Sequence, residues 1–264
     1  MNLIKLKVMN ESGTVLLTAP AAERVSLVYR AEYKPGDRIS LEVGTPGQYC
    51  IVQFEDTMLP ALLYVKEREI NFHIPVGDRA AAYSPKSFVG DCHIIRARLA
   101  RPDEISARRN MAFNPYDEDG DTGFYPHAAT NVAAAWPAAF GARNAIDGVL
   151  ENSAHGVWPY QSWGISRNPD AELTVDFGRP VTIDEIRLTL RADFPHDSWW
   201  TSATVRFPDG SREVLSLTKT AEPQSFPISP RKVNSLVLCE LKKAEEESLF
   251  PALTQIEAYG VEAN

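Results

Sequence analysis

The sequence predicts an all-β protein, made of two antiparallel, jelly-roll-like β-sandwiches in tandem. Three observations point to that class. Short runs of β-branched, aromatic and other apolar residues recur along the chain of 264 residues, many of them alternating with polar ones. Gly- and Pro-bearing turn clusters separate the runs, the pattern of sandwiches rather than of βαβ units. No long stretch carries the 3.6-residue period of an amphipathic helix.

In the first half, strands are expected at 3–8, 25–33, 38–43, 49–54, 61–65, 70–74 and 93–99. Glu-Ser-Gly at 11–13, Lys-Pro-Gly-Asp at 34–37 and Gly-Thr-Pro-Gly at 44–47 supply turns between them. Ser-Pro-Lys-Ser-Phe-Val-Gly at 84–90 reads as an irregular loop. Residues 101–109 hold a short helical turn, and the polar, Gly- and Pro-bearing stretch that follows has linker composition. The expected boundaries are an N-terminal sandwich over 1–105, a linker over 106–127 and a C-terminal sandwich over 128–264. Strands of the second sandwich are expected at 172–177, 185–190, 201–207, 213–217, 224–228, 235–240 and 253–259, with the charge run at 242–248 a solvated loop or short helix.

Composition narrows the function classes. The hydrophobic share of 44% and charged share of 23% are those of ordinary globular protein. A net charge of −8 argues against nucleic acid, whose phosphates require a basic face, and against docking on anionic membranes. The first residues alternate apolar and charged side chains as a strand does, so a cytoplasmic location is expected. Cys50, Cys92 and Cys239 form no Cys-x-x-Cys pair, and Cys50 and Cys92 are expected to be small buried hydrophobes.

Five short motifs fall in register between residues 131 and 262: Ala-Arg-Asn-Ala-Ile-Asp-Gly at 142–148, Leu-Thr-Val-Asp-Phe-Gly at 173–178, Ile-Asp-Glu-Ile-Arg-Leu at 183–188, Phe-Pro-Asp-Gly at 207–210 and Thr-Gln-Ile-Glu-Ala-Tyr-Gly at 254–260. In this order and spacing the segment resembles the discoidin-type (coagulation factor type C, galactose-binding-like) β-sandwich. The resemblance implies non-covalent binding of a sugar or lipid head group by loops at one end of the sandwich. It makes Arg191 the foremost ligand-binding candidate. It also implies a structural calcium ion held by Asp147, the Arg143 carbonyl, Asn152 or Ser153, and a residue at 255. There this chain carries Gln255 where the family has Glu, which removes a formal charge from a site of hard oxygen donors.

The residues themselves suit carbohydrate. Arg-Ala-Asp-Phe-Pro-His-Asp-Ser-Trp-Trp at 191–200 packs Arg191, Asp193, His196, Asp197, Trp199 and Trp200 into one loop. Planar guanidinium and carboxylate groups pair with vicinal hydroxyls, and an aromatic face covers the apolar side of a pyranose. Trp200, at the start of a strand, is equally a core residue. A second loop at 152–164 offers His155, Trp158 and Tyr160, with Trp163 assigned to the core.

Enzyme templates are absent: no Gly-x-Ser-x-Gly, no Walker loop, no His-Glu-x-x-His and no dinucleotide glycine fingerprint. Asp-Glu-Asp-Gly-Asp at 117–121 fails as an EF-hand, since its sixth and twelfth positions are Thr122 and Ala128, and it reads as a solvated acidic turn. The expectation is a carbohydrate-binding protein acting beside a sugar-processing enzyme. The rivals are a protein-interaction scaffold, and a small lyase or hydrolase with its site between the two sandwiches.

Overall fold

The computed structural model describes residues 3–120, 122–154, 156–192 and 198–263. Its first eight strands are Ile4–Met9 (β1), Val15–Thr18 (β2), Arg24–Tyr29 (β3), Arg38–Val43 (β4), Gln48–Gln53 (β5), Ala61–Val65 (β6), Glu69–His73 (β7) and His93–Leu99 (β8). They are followed by Arg109–Asn110 (β9), Phe124–Tyr125 (β10), His127–Thr130 (β11), Trp163–Gly164 (β12), Leu173–Leu190 (β13), Trp200–Arg206 (β14), Arg212–Ser216 (β15), Gln224–Lys243 (β16) and Ala252–Glu262 (β17). Helix is confined to short pieces, among them Pro102–Ser106 (α1) and Pro137–Phe140 (α2). Among the described residues no helix is long and apolar enough to cross a membrane.

The N-terminal half is a sandwich of two antiparallel sheets, ordered β2-β1-β4-β7 and β10-β6-β5-β8-β3. Period-two alternation places one face of each strand inward. Ile4, Leu6, Ile39, Leu41 and Phe72 of the first sheet meet Leu27, Val52, Leu63 and Ile95 of the second in one buried cluster.

The C-terminal half is one eight-stranded antiparallel sheet ordered β12-β17-β13-β16-β14-β15, with β11 and β9 added on β13 and β17. The strands expected at 172–177 and 185–190 are a single strand, β13, and those at 224–228 and 235–240 are a single strand, β16. Their pairing breaks register between Asp176 and Val181 and again between Ile183 and Glu185. Such irregularities bend a strand without ending it, so each long strand continues through the breaks. The sheet wraps its own core, which includes Val175, Phe177, Ile186, Leu188, Trp163 and Trp200. β16 also takes in the first residues of the charge run, ending at Lys243.

The stretch expected as a linker is folded into both cores. Tyr116 and Phe124 are fully buried in the N-terminal cluster, with Tyr116 edge-on to Phe54 and Phe72 at 5.1 and 5.7 Å. Met111 and Ala112 belong to the C-terminal core, and β9 pairs with β17. Asp117, read above as part of a solvated acidic turn, is fully buried. Its carboxylate accepts from the Ala128 amide at 2.9 Å and lies 2.8 Å from His127 Nδ1. Polar composition concealed these anchors because each buried polar group has a partner.

A second tie joins the halves. Glu262 accepts from the Tyr49 hydroxyl (2.8 Å), from Arg179 (2.6 and 3.1 Å) and from Arg109 (2.5 Å). Burial alone would raise the Glu262 carboxyl, but Arg179 overrides it and holds the group below its ordinary value. Cysteine placement departs from expectation in one case. Cys50 and Cys239 are buried, whereas Cys92 is exposed, just ahead of β8.

Inside the N-terminal half, Glu55 is 2% exposed. It accepts from the Phe88 amide (3.0 Å) and the Thr57 hydroxyl (3.3 Å), with His93 Nδ1 3.9 Å away. Burial, helped by a hydrogen bond with Asp56, pushes its carboxyl up to about 7. In the unfolded chain a Glu carboxyl returns to about 4.3. The folded state therefore holds this proton more tightly, and the stability it confers is lost as pH rises through about 7. Urea unfolding at a series of pH values should show stability falling from about pH 5 to pH 8. Glu55→Gln should flatten that slope and be the more stable chain at the alkaline end; an unchanged slope would place the titration elsewhere.

Candidate functional site

The site is best built from the Asp-Gly turn outward. Gly148 lies at φ +82°, and a Cβ added there would stand 2.4 Å from the Phe113 ring. Only glycine fits both constraints. The preceding residue, Asp147, is 5% exposed and fully engaged. Its Oδ1 accepts from the Val149 amide (2.9 Å) and Gln255 Nε2 (2.7 Å), and its Oδ2 accepts from Gln161 Nε2 (2.8 Å). Burial pushes this carboxyl upward, while the Arg143 charge and the amide donors act the other way.

Gln255, on β17, also donates to the Asn144 carbonyl (2.6 Å) and accepts from the Gly148 amide (2.9 Å). The Asn144 side chain in turn donates to the Ala138 carbonyl at 3.0 Å, which anchors α2. Asn152 donates to the Leu190 carbonyl (2.7 Å) and lies 3.3 Å from the Thr254 hydroxyl, joining the end of β13 to β17. The turn, α2 and the ends of the two long strands are thereby fixed to one another.

Between those fixed ends lies a groove of about 320 Å³ lined by Phe140, Ile165, Ser166, Arg191, Phe250 and Pro251, among others. Arg191 is 3% exposed, and its guanidinium carbon lies 5.6 Å from the centre of the Phe140 ring. Its backbone amide donates to the Ala252 carbonyl at 3.0 Å. Phe250 is 43% exposed, with Arg167 4.4 Å from the centre of its ring. Ser166 and Arg167 both have left-handed backbones, φ +49° and +64°. Two such non-glycine residues in succession mark local strain at the rim.

The other candidates from the sequence are dispersed. Trp199 packs against the C-terminal core and donates from Nε1 to Glu246 at 3.1 Å. Trp200 is core, 1% exposed and 6.3 Å from the Trp163 ring. Trp158 lines a cleft between the halves beside Tyr83 and Arg143, its amide bonded to the Ala81 carbonyl at 2.8 Å. Tyr160 is half-buried outside the groove. His155, Asp193, His196 and Asp197 lie outside the described residues. Phe140, Ser166 and Phe250 escaped the sequence reading; the only signal was an aromatic beside or near a proline, in Trp-Pro-Ala-Ala-Phe at 136–140 and Leu-Phe-Pro at 249–251.

A larger recess of about 630 Å³ lies along β7, lined by Glu67, Glu69, His73, Arg79, Glu118 and Asp119 among others. Glu118 is matched there by Arg79 at 2.6 Å and His73 at 3.2 Å, the marks of a structural ion cluster.

The expected calcium ligands do not compose a calcium site as they stand. The Asp147 oxygens accept from amides, and the Arg143 carbonyl accepts from the Ile146 amide at 3.1 Å. Asn152 presents its amide nitrogen to acceptors, and Ser153 is exposed. Among the described residues no group of three or more His, Cys, Asp or Glu side chains is placed to hold a metal ion. Calcium takes six to eight oxygen ligands, and the Asp147 and Arg143 oxygens are committed to N–H donors.

No family model matches the chain, and no curated protein matches it. Among solved structures it is similar to chitosan-binding module 1 of a chitosanase/glucanase from Paenibacillus sp. IK-5, with 15% identity over 58% of this chain and 99% of that one, TM-score 0.40. It is also similar to the family 32 carbohydrate-binding module of NanJ from C. perfringens, in complex with galactose (15% identity, 50% and 91% covered, TM-score 0.38). A third is the Streptococcus pneumoniae fucose binding module SpX-3 (9% identity, 58% and 99% covered, TM-score 0.39). Identities and TM-scores this low do not extend those proteins' ligands to this chain.

The turn geometry makes a direct prediction. Gly148→Ala should lower stability by at least about 2 kcal/mol, from the left-handed backbone and the overlap with Phe113 together. A thermal melt within a degree of wild type would show that the turn does not need its glycine.

Proposed function

We propose that this chain binds carbohydrate, without transforming it, in the groove between α2 and the start of β17. The observation that carries the reading is the Arg191 guanidinium beside the Phe140 ring, with Phe250 lining the same cleft at the ends of β13 and β17. A pyranose needs both elements: an aromatic surface for its C–H face and a planar donor array for adjacent hydroxyls. Ser166 adds a hydroxyl at the rim. The strain at Ser166 and Arg167 fits a loop shaped for a ligand rather than for stability alone.

Among the described residues lining the groove, Arg191 is the one ionisable side chain. A guanidinium keeps its proton across the working range and serves recognition rather than acid–base chemistry. A binding role beside a sugar-processing enzyme follows from this reading.

A panel of neutral and acidic monosaccharides, screened by thermal shift and followed by calorimetry, tests it. Phe250→Ala removes an exposed ring and should weaken the best ligand roughly threefold to tenfold. Arg191→Lys keeps the charge but loses the planar fork, and should cost tenfold or more, about 1.5–3 kcal/mol. Trp199→Ala, outside the groove, should leave affinity near wild type. A protein that binds none of the panel, or whose affinity ignores both Phe250 and Arg191, would favour a protein partner instead.

A further inference from the structure

We infer that the Asp147–Gly148 turn closes without a metal, the Gln255 carboxamide standing where a divalent cation would otherwise gather the oxygens. Two of those oxygens converge on one atom. The Asn144 carbonyl and Asp147 Oδ1 lie 2.6 and 2.7 Å from Gln255 Nε2. Both are pure acceptors, so whatever sits between them must be a donor or a cation.

The orientation of the carboxamide is set from its other side. Gln255 Oε1 accepts the Gly148 N–H at 2.9 Å. Rotating the amide would turn an NH2 toward that N–H and an oxygen toward the two acceptors, breaking three hydrogen bonds at once. The amide therefore has one orientation that works, and in it the NH2 supplies both donors that the acceptors need.

The charge balance agrees. Asp147 is the one carboxylate among the described hydrogen-bond partners of the Gln255 side chain, and Gln161 Nε2 takes its second oxygen. The buried Arg143 guanidinium bonds Asn144 Oδ1 at 3.0 Å, so a positive charge already stands beside the turn. A divalent ion added here would displace satisfied donors and leave excess positive charge in a dry place, where an unpaired charge is costly.

The same geometry says what one substitution would create. Gln255→Glu puts a carboxylate oxygen against the Asn144 carbonyl and the Asp147 carboxylate, with no donor between them. Three oxygens and two negative charges would then face a gap that suits a hard cation. The wild-type chain should be indifferent to calcium, and the variant should come to depend on it.

The test uses the full chain, stripped with chelator and melted with and without millimolar calcium, with calorimetric titration of calcium alone. Wild type should melt at one temperature in both conditions and give no binding heat. Gln255→Glu should melt several degrees lower in chelator and recover with calcium in a saturable, one-to-one titration, which adding Asp147→Asn should abolish. Calcium raising the wild-type melting temperature, with the rise lost in Asp147→Asn, would overturn the inference. So would a Gln255→Glu chain that ignores calcium, or that stays unfolded in its presence. Sugar affinity does not enter these readouts, so this result and that of the groove stand or fall separately.

Discussion

A buried carboxylate must have its oxygens bonded, and in this chain Asp147 imposes that requirement where the walls of the groove meet. Its partners come from three places: the turn itself through Val149, the 152–164 loop through Gln161, and the last strand through Gln255. Gln255 passes the constraint to the Asn144 carbonyl, and the Asn144 side chain passes it to α2. Phe140 ends α2, and Phe250 stands two residues before β17 begins. Both walls of the groove are thus referred to one hydrogen-bonded knot. On the proposed reading, a groove held this way would keep its shape before a ligand arrives, which lowers the ordering cost of binding.

The two halves are held together by a similar logic of satisfied polar groups. Arg143 donates to the carbonyls of Asp117 and Pro115 at 2.8 and 2.9 Å and lies 4.5 Å from the centre of the Tyr83 ring. Glu262, at the far end of the last strand, gathers Arg109, Arg179 and Tyr49. The intervening segment contributes Tyr116 and Phe124 to one core and Met111 to the other. A polar chain can be buried as readily as an apolar one when each donor and acceptor finds a partner. That is why composition marked this segment as a linker and the structure places it inside.

What was legible in the sequence follows from how local each signal is. Strand alternation is local, and it located the strands at 38–43 and 61–65 without knowledge of their neighbours; Ile39, Leu41, Leu63 and Val65 there are buried. The Asp-Gly pair was legible because a left-handed backbone at Gly148 is a property of one residue. The continuity of β13 and β16 was not, since bulges at Asp176 and Ile183 read as turns when the partner strand is unseen. The groove was half legible. Arg191 came from the motif resemblance, but Phe140 and Phe250 stand 110 positions apart and meet only through the knot at Asp147 and Gln255. Cys92, read as buried from its apolar neighbours, is exposed because it precedes β8 rather than sitting within the strand.

Arg191 illustrates why burial and recognition are compatible in such a groove. A guanidinium at 3% exposure has lost most of its water, so any hydrogen bond it gives a ligand forms in surroundings where little solvent competes. Its backbone is fixed to Ala252, and its plane lies near Phe140, so few rotamers remain to be lost on binding. Phe250 has the opposite character: exposed, and approached by the Arg167 guanidinium, it can be covered by a sugar face at little conformational cost. Under the proposed carbohydrate reading, the fixed donor would set which hydroxyl geometry is accepted, and the exposed ring would supply contact area that is tolerant of stereochemistry. On the proposed reading, selectivity among sugars would rest on the Arg191 end of the groove and general affinity on the Phe250 end, a division that the difference between a planar ion and an apolar surface imposes.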